Sequence, residues 1–157
     1  MILQRIDQDN RETVDAFILR NWYTMEMVVH GECLDLSTAD GWFVSEKGEI
    51  IGLITCRIYG GEMEILSLDS LSERRGIGTA LLDEAVLAAR KAGCLRVMLV
   101  TTNDNLYALR FYQKRGFDMV RLIRNAVDAA RNIKPEIPLT GMDGIPIRHE
   151  IELELRL

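Results

Sequence analysis

Apolar positions along the chain alternate between two spacings, and the switches between them mark out the elements. Residues 3–6 are predicted as a short first strand. Asp7, Asp9 and Asn10 then offer caps for a helix running toward Arg20, with Val14, Phe17 and Ile18 three and four apart on one face. Residues 22–30 are predicted as a second helix, ended by Gly31. Asp40-Gly41 marks a turn. Residues 42–45 and 49–59 follow as strands joined at Lys47-Gly48, and Gly60-Gly61 leads into a strand over 62–68.

The spacing then lengthens. Residues 78–92 predict a helix with Ala80, Leu81, Ala85, Val86 and Ala88 as its apolar stripe and Gly93 as its stop. Residues 95–100 are a mostly apolar run of β-formers, as in a strand covered on both faces. A shorter helix is predicted over 105–115, a strand over 117–123 and a helical stretch over 125–132. Pro135, Pro138, Gly141, Gly144 and Pro146 then make a loop-like segment. In the last strand Ile151, Leu153 and Leu155 alternate with Glu150, Glu152 and Glu154, which predicts one buried face and one wet face. Strand, helices, antiparallel meander and two strand–helix–strand units together predict an α/β domain with a mixed sheet. No repeat or linker divides the chain, so residues 1–157 are expected to form a single domain.

Composition narrows the class. Hydrophobic residues make up 48% and charged residues 27%, ordinary for a soluble globular protein. A net charge of −5 argues against nucleic acid as the main partner. No apolar run is long enough to span a bilayer and no signal peptide is evident, so a cytoplasmic location is expected. Cys33, Cys56 and Cys94 are scattered thiols, and the two histidines, His30 and His149, show no metal-ligand spacing.

The chemistry gathers in two places. Residues 72–79 read S-E-R-R-G-I-G-T between a strand and a helix. Gly76 and Gly78 allow close backbone approach, and successive N–H groups at a helix N-terminus form a receptor for phosphate. Arg74 and Arg75 add positive charge. Taken alone, the turn reads first as a plain strand-to-helix connection with solvated arginines. The second place is residues 105–117, N-L-Y-A-L-R-F-Y-Q-K-R-G-F.

With these motifs the chain resembles the GNAT superfamily of acyl-CoA-dependent N-acetyltransferases. Gly76 and Gly78 match the glycines of its Q/R-x-x-G-x-G/A signature, while Glu73 stands where the family prefers Gln or Arg. Asn105, Ala108, Phe111, Tyr112, Gly116 and Phe117 fill the pattern N-x-x-A-x-x-F-Y-x-x-x-G-F. The resemblance covers residues 3–123 and the closing strand. It implies a mostly antiparallel central sheet of six to seven strands flanked by helices, with a helical and looped insertion before the last strand. It also implies acetyl-CoA as co-substrate, its diphosphate received by the backbone of Glu73, Arg74, Arg75, Gly76, Ile77, Gly78 and Thr79. The pantetheine arm would lie along the backbone of Leu66, Ser67 and Leu68.

Acyl transfer to an amine needs a neutral amine, a polarised thioester carbonyl and a proton for the departing thiolate. The resemblance implies that Tyr112 supplies that proton; a phenol with a pKa near ~10 carries one at neutral pH. The same tyrosine also reads as a core residue. Asn105 matches the family residue that bonds pantetheine, and it equally suits a helix cap, with Asn103 as a competitor. Glu62 and Glu64 share a strand face. Glu64 is the candidate general base; the plainer reading is a paired carboxylate. Val100 stands where some relatives place a glutamate base. Trp22, Tyr23, Glu26 and Glu32 fall in the region that shapes the acceptor side in relatives.

The function expected is transfer of acetyl from acetyl-CoA to a primary amine by direct attack in a ternary complex. The acceptor is a small molecule or a protein amine, with cationic acceptors favoured by the acidic balance. Neither nucleic acid nor a membrane is an expected partner, and a homodimer contact is one reading of the insertion over 124–146. The competing reading is a CoA-binding regulatory or sensor module without turnover. A mononucleotide-binding protein would need a P-loop lysine or a ribose-binding acid, and neither follows Gly78.

Overall fold

The computed structural model describes residues 1–72 and 75–157. Its strands are β1 (Ile2–Arg5), β2 (Glu26–Val29), β3 (Glu32–Asp35), β4 (Asp40–Glu46), β5 (Glu49–Tyr59), β6 (Glu62–Ser70), β7 (Arg96–Thr102), β8 (Asp118–Ile123) and β9 (Glu150–Arg156). Its helices are α1 (Arg11–Trp22), α2 (Ile77–Lys91), α3 (Leu106–Gln113) and α4 (Ala126–Ala130). Seven strands form one sheet in the order β1-β4-β5-β6-β7-β9-β8, and β2 with β3 forms a separate hairpin. The β1–β4, β4–β5, β5–β6 and β8–β9 pairings are antiparallel. This is the mixed, mostly antiparallel α/β sheet flanked by helices that the motifs imply.

The chain condenses into two compact units. The first holds Met1–Met27, Asp35–Val97 and Leu157; the second holds Val28–Leu34 and Met98–Arg156. In the first, Val14, Phe17 and Ile18 of α1 pack with Ile6, Leu36, Phe43, Ile50 and Leu53, and Trp22 and Leu66 close over that core. The three-and-four spacing of α1 thus becomes one buried face. Helix α2 packs on β4, β5 and β6.

Two predicted elements differ. Residues 22–30 are not a second helix. Tyr23 takes a left-handed φ of 62° and closes α1 by donating its N–H to the Leu19 carbonyl. Beyond it, His30 and Gly31 both sit at positive φ, 55° and 72°, as a two-residue hairpin turn requires. The β-branched pair Val28-Val29 favours the strand that the glycine-as-helix-stop reading overlooked.

The second difference lies in β9. Its glutamates were expected on a wet face, yet Glu150 and Glu152 are each only 8% exposed, alongside the fully buried Leu153. Strand β8 lies beside them, Arg121 opposite Glu152, and the two side chains form an ion pair at 3.4 Å. Pairing is what lets carboxylates occupy a covered face. Alternation of glutamate with leucine therefore does not by itself mean solvent.

Gly52 on β5 lets α2 sit close. A Cβ there would collide with the γ-methyl of Ile77 and lie 3.1 Å from Leu81 Cδ1. Gly52→Ala is expected to destabilise the protein by about 1–3 kcal/mol, as overpacking does. Urea unfolding should show a lower midpoint at unchanged slope; an unaltered midpoint would mean that α2 is not seated this way.

Candidate active site

Strand β6 carries the first group of predicted residues, and its register is not regular. Thr55 pairs with Ser67 and Cys56 with Ile65, so Leu66 is one extra residue on β6, a β-bulge. The bulge falls on the Leu66-Ser67-Leu68 triad expected to meet pantetheine. It also shifts the phase of the strand. Glu64 lies opposite Arg57, Ser67 opposite Thr55 and Asp69 opposite Leu53. One face of β6 thus shows Glu62 and Glu64 before the bulge, then Ser67 and Asp69 after it.

That face is polar yet covered, and its polar groups are paired. Glu64, whose side chain is 9% exposed, accepts from the Arg57 guanidinium at 2.8 Å and 2.9 Å. Glu62 pairs with Arg96 at 3.1 Å. The Thr55 and Ser67 hydroxyls bond at 2.6 Å. The Trp22 indole N–H at the end of α1 donates to both Asp69 carboxylate oxygens at 3.1 Å. Leu66 and Leu68 are half-buried. Arg57 and the Trp22–Asp69 bond escape sequence reading, because a strict two-residue period puts Asp69 on the opposite face from Glu64.

The glycine turn leads into α2. Gly76 is the N-cap residue at a left-handed φ of 73° and, as a glycine, brings no side chain to cap the helix. Space around Gly76 is open: a Cβ placed there would meet nothing within 4 Å. Ile77 is buried, while Gly78 and Thr79 are half-buried. Glu73 and Arg74 lie outside the described residues. Arg75 is exposed and donates to both oxygens of Glu46, at 3.0 Å and 2.8 Å. Those hydrogen bonds hold the Glu46 carboxyl below its usual range.

In the second unit, Asn105 caps α3, its Oδ1 accepting from the Ala108 N–H at 3.1 Å. Tyr112 lies on α3 and is 5% exposed. Its ring meets Phe111 edge-on at 5.1 Å and Phe117 at 5.3 Å, both residues of the same motif. Arg115 stacks on Phe111 at 3.6 Å and donates to its carbonyl. Asn103, the competitor for Asn105, makes bonds of its own: Nδ2 donates to the Pro146 carbonyl, and Oδ1 accepts from the N–H groups of Arg148 and His149. Val100 is half-buried on β7. The candidate residues therefore fall in two sets, Glu64 to Thr79 in the first unit and Asn105 with Tyr112 in the second. No helix among the described residues is long and apolar enough to cross a membrane.

Residues 4–117 match the acetyltransferase (GNAT) family, and the chain belongs to it. The protein YdhI of Bacillus subtilis (strain 168) is 48% identical over 152 residues, covering 96% of this chain and 95% of YdhI. Among solved structures, an IAA acetyltransferase from Bacillus cereus shares the fold at a TM-score of 0.74 with 22% identity, covering 99% of each chain. A Bacillus subtilis acetyltransferase in complex with CoA does so at 0.70 with 18% identity, covering 99% of this chain and 97% of its own.

Asp69 has a measurable signature. Burial raises its carboxyl above the ordinary 3.8, opposed by the smaller effect of the Trp22 hydrogen bond. A folded pKa above the unfolded one contributes stability that is complete below 3.8 and lost as pH rises through the raised folded value. Asp69→Asn removes the charge and keeps an acceptor for Trp22. Denaturation midpoints of variant and wild type should coincide in acid, and the variant should gain as pH rises from about 4 to 7. A wild type that gains on the variant across that range would contradict the assignment.

Proposed function

We propose that this protein is an N-acetyltransferase that moves the acetyl group of acetyl-CoA to a primary amine by direct attack in a ternary complex. The observation that carries this reading is family membership over residues 4–117, a span that includes both the glycine turn and the Tyr112 motif. The fold it shares with a CoA-bound relative supports the cofactor.

Cofactor binding falls to main-chain groups. The N-terminus of α2, opened by Gly76 with room for a Cβ beside it, suits a diphosphate. The turn over residues 73–79 is the proposed diphosphate site, and the backbone of Leu66, Ser67 and Leu68 that for the pantetheine amides. Asn105 Oδ1 accepts the cap hydrogen bond and keeps a second lone pair, so its oxygen and its amide NH₂ can both serve the pantetheine arm. Arg75 must exchange Glu46 for phosphate to add its charge. Both are exposed, so that exchange costs little.

In the proposed reaction the amine lone pair attacks the thioester carbonyl carbon. The tetrahedral intermediate collapses, the C–S bond breaks, and the thiolate takes the phenolic proton of Tyr112. The nitrogen sheds its proton to Glu64, directly or through water. Arg57 holds that carboxylate in place by two hydrogen bonds, at 2.8 Å and 2.9 Å. The products are the acetamide and CoA. The acceptor is a primary amine on a small molecule or a protein.

Tyr112→Phe is expected to lower kcat by about 10²–10⁴-fold, the range for loss of one positioned acid. The affinity for CoA should change little. Thiol release against a panel of amines measures the first and calorimetry the second. An unchanged kcat would remove Tyr112 from the acid role. Tight CoA binding with no turnover on any amine would favour the sensor reading.

A further inference from the structure

The turn that opens α2 is held against the β4–β5 hairpin by packing. Gly52 on β5 admits Ile77, the first residue of the helix, closer than any Cβ would allow. Just before the turn, the Leu71 N–H donates to the Ile51 carbonyl at 2.9 Å. At the tip of the hairpin, Lys47 and Gly48 both sit at positive φ, 53° and 84°, as a two-residue reversal requires. That reversal fixes where β4 ends, and its last residue is Glu46.

Glu46 therefore meets the α2 turn from a fixed base. Its two oxygens accept from both terminal nitrogens of Arg75, at 3.0 Å and 2.8 Å. This is the two-pronged geometry with which a guanidinium also grips a phosphate. Arg75 immediately precedes Gly76, the N-cap of α2. Directly across the hairpin from Glu46 stands Glu49, a like charge and no counterion. The acid thus occupies the end of the guanidinium, and a phosphate that grips that end must displace it.

We propose that Glu46 sets the affinity of the cofactor site: it is an internal anion that holds Arg75 in the free protein and is displaced from it by the diphosphate of CoA. The proposal rests on the acetyltransferase reading above. Only molecules in which the pair has opened offer the diphosphate the charge of Arg75. The apparent affinity falls in proportion to that fraction. Acetyl-CoA and CoA carry the same diphosphate, so substrate and product are loosened alike. The Arg75 side chain is 40% exposed and that of Glu46 36%, which keeps the effect modest.

The test is calorimetry with CoA on the full-length protein and on Glu46→Gln, Arg75→Gln and the double variant. Both side chains are exposed, so the fold is not at stake. Glu46→Gln should tighten CoA about two- to fivefold, the range for an exposed pair. Most of that gain should vanish when Arg75 is already replaced, because no pair is left to break. Plain repulsion between Glu46 and phosphate would instead add independently of Arg75. An equal gain in both backgrounds would therefore overturn the proposal, as would an unchanged or weaker affinity in Glu46→Gln. Dephospho-CoA keeps the diphosphate and lacks the ribose phosphate, and it should show the same coupling between the two substitutions. Loss of the coupling with that ligand would overturn the assignment to the diphosphate. A wild type that binds no CoA would overturn the acetyltransferase reading and this proposal with it, whereas CoA binding with additive substitutions would sink this proposal alone.

Discussion

One extra residue in β6 governs the first unit. The bulge at Leu66 changes the phase of the strand, so that Glu64, Ser67 and Asp69 line up on the face that carries α1. Without it, Asp69 would face the other way and Trp22 would lose its acceptor. Glu64, Ser67 and Asp69 meet partners from β5 or α1: Arg57, Thr55 and Trp22. Burying them is tolerable only because those partners exist. A bulge also re-aims main-chain groups, and this one lies on the stretch proposed to receive the pantetheine arm.

The second unit solves a different problem with the same chemistry. Its connection before β9 is long and rich in proline and glycine, and such segments ordinarily lack a fixed form. Here Arg131 organises the interior while Asn103 and Asp104 fasten the whole to the head of α3. Carboxylates and amides are again buried, and again each is matched by a donor. The glutamates of β9 follow suit, with Arg121 serving Glu152.

Much of this was legible beforehand. Two-residue and three-to-four-residue spacings locate most of the elements, and the glycine turns at 47–48 and 60–61 sit where the strands reverse. The two family motifs fall on the α2 turn and on α3. What stayed hidden has a physical reason in each case. His30-Gly31 reads as a helix stop until the positive φ of both residues shows a hairpin. The bulge at Leu66 leaves no mark in composition, so strict alternation separates Glu64 from Asp69 when pairing unites them. Glu150 and Glu152 look solvated because their burial depends on the neighbouring strand. Asn103 and Asp104 look like turn residues because their partners lie some forty residues downstream.

The central claim is that main-chain amides at the head of α2 receive the diphosphate of CoA and that the cofactor's sulfur ends at Tyr112. Amide-resolved NMR during a CoA titration tests it most directly. The largest, saturable shifts are expected at Arg75 to Thr79, with a second set around Tyr112 on α3. Shifts confined to other parts of the chain, or none at saturating cofactor, would contradict it.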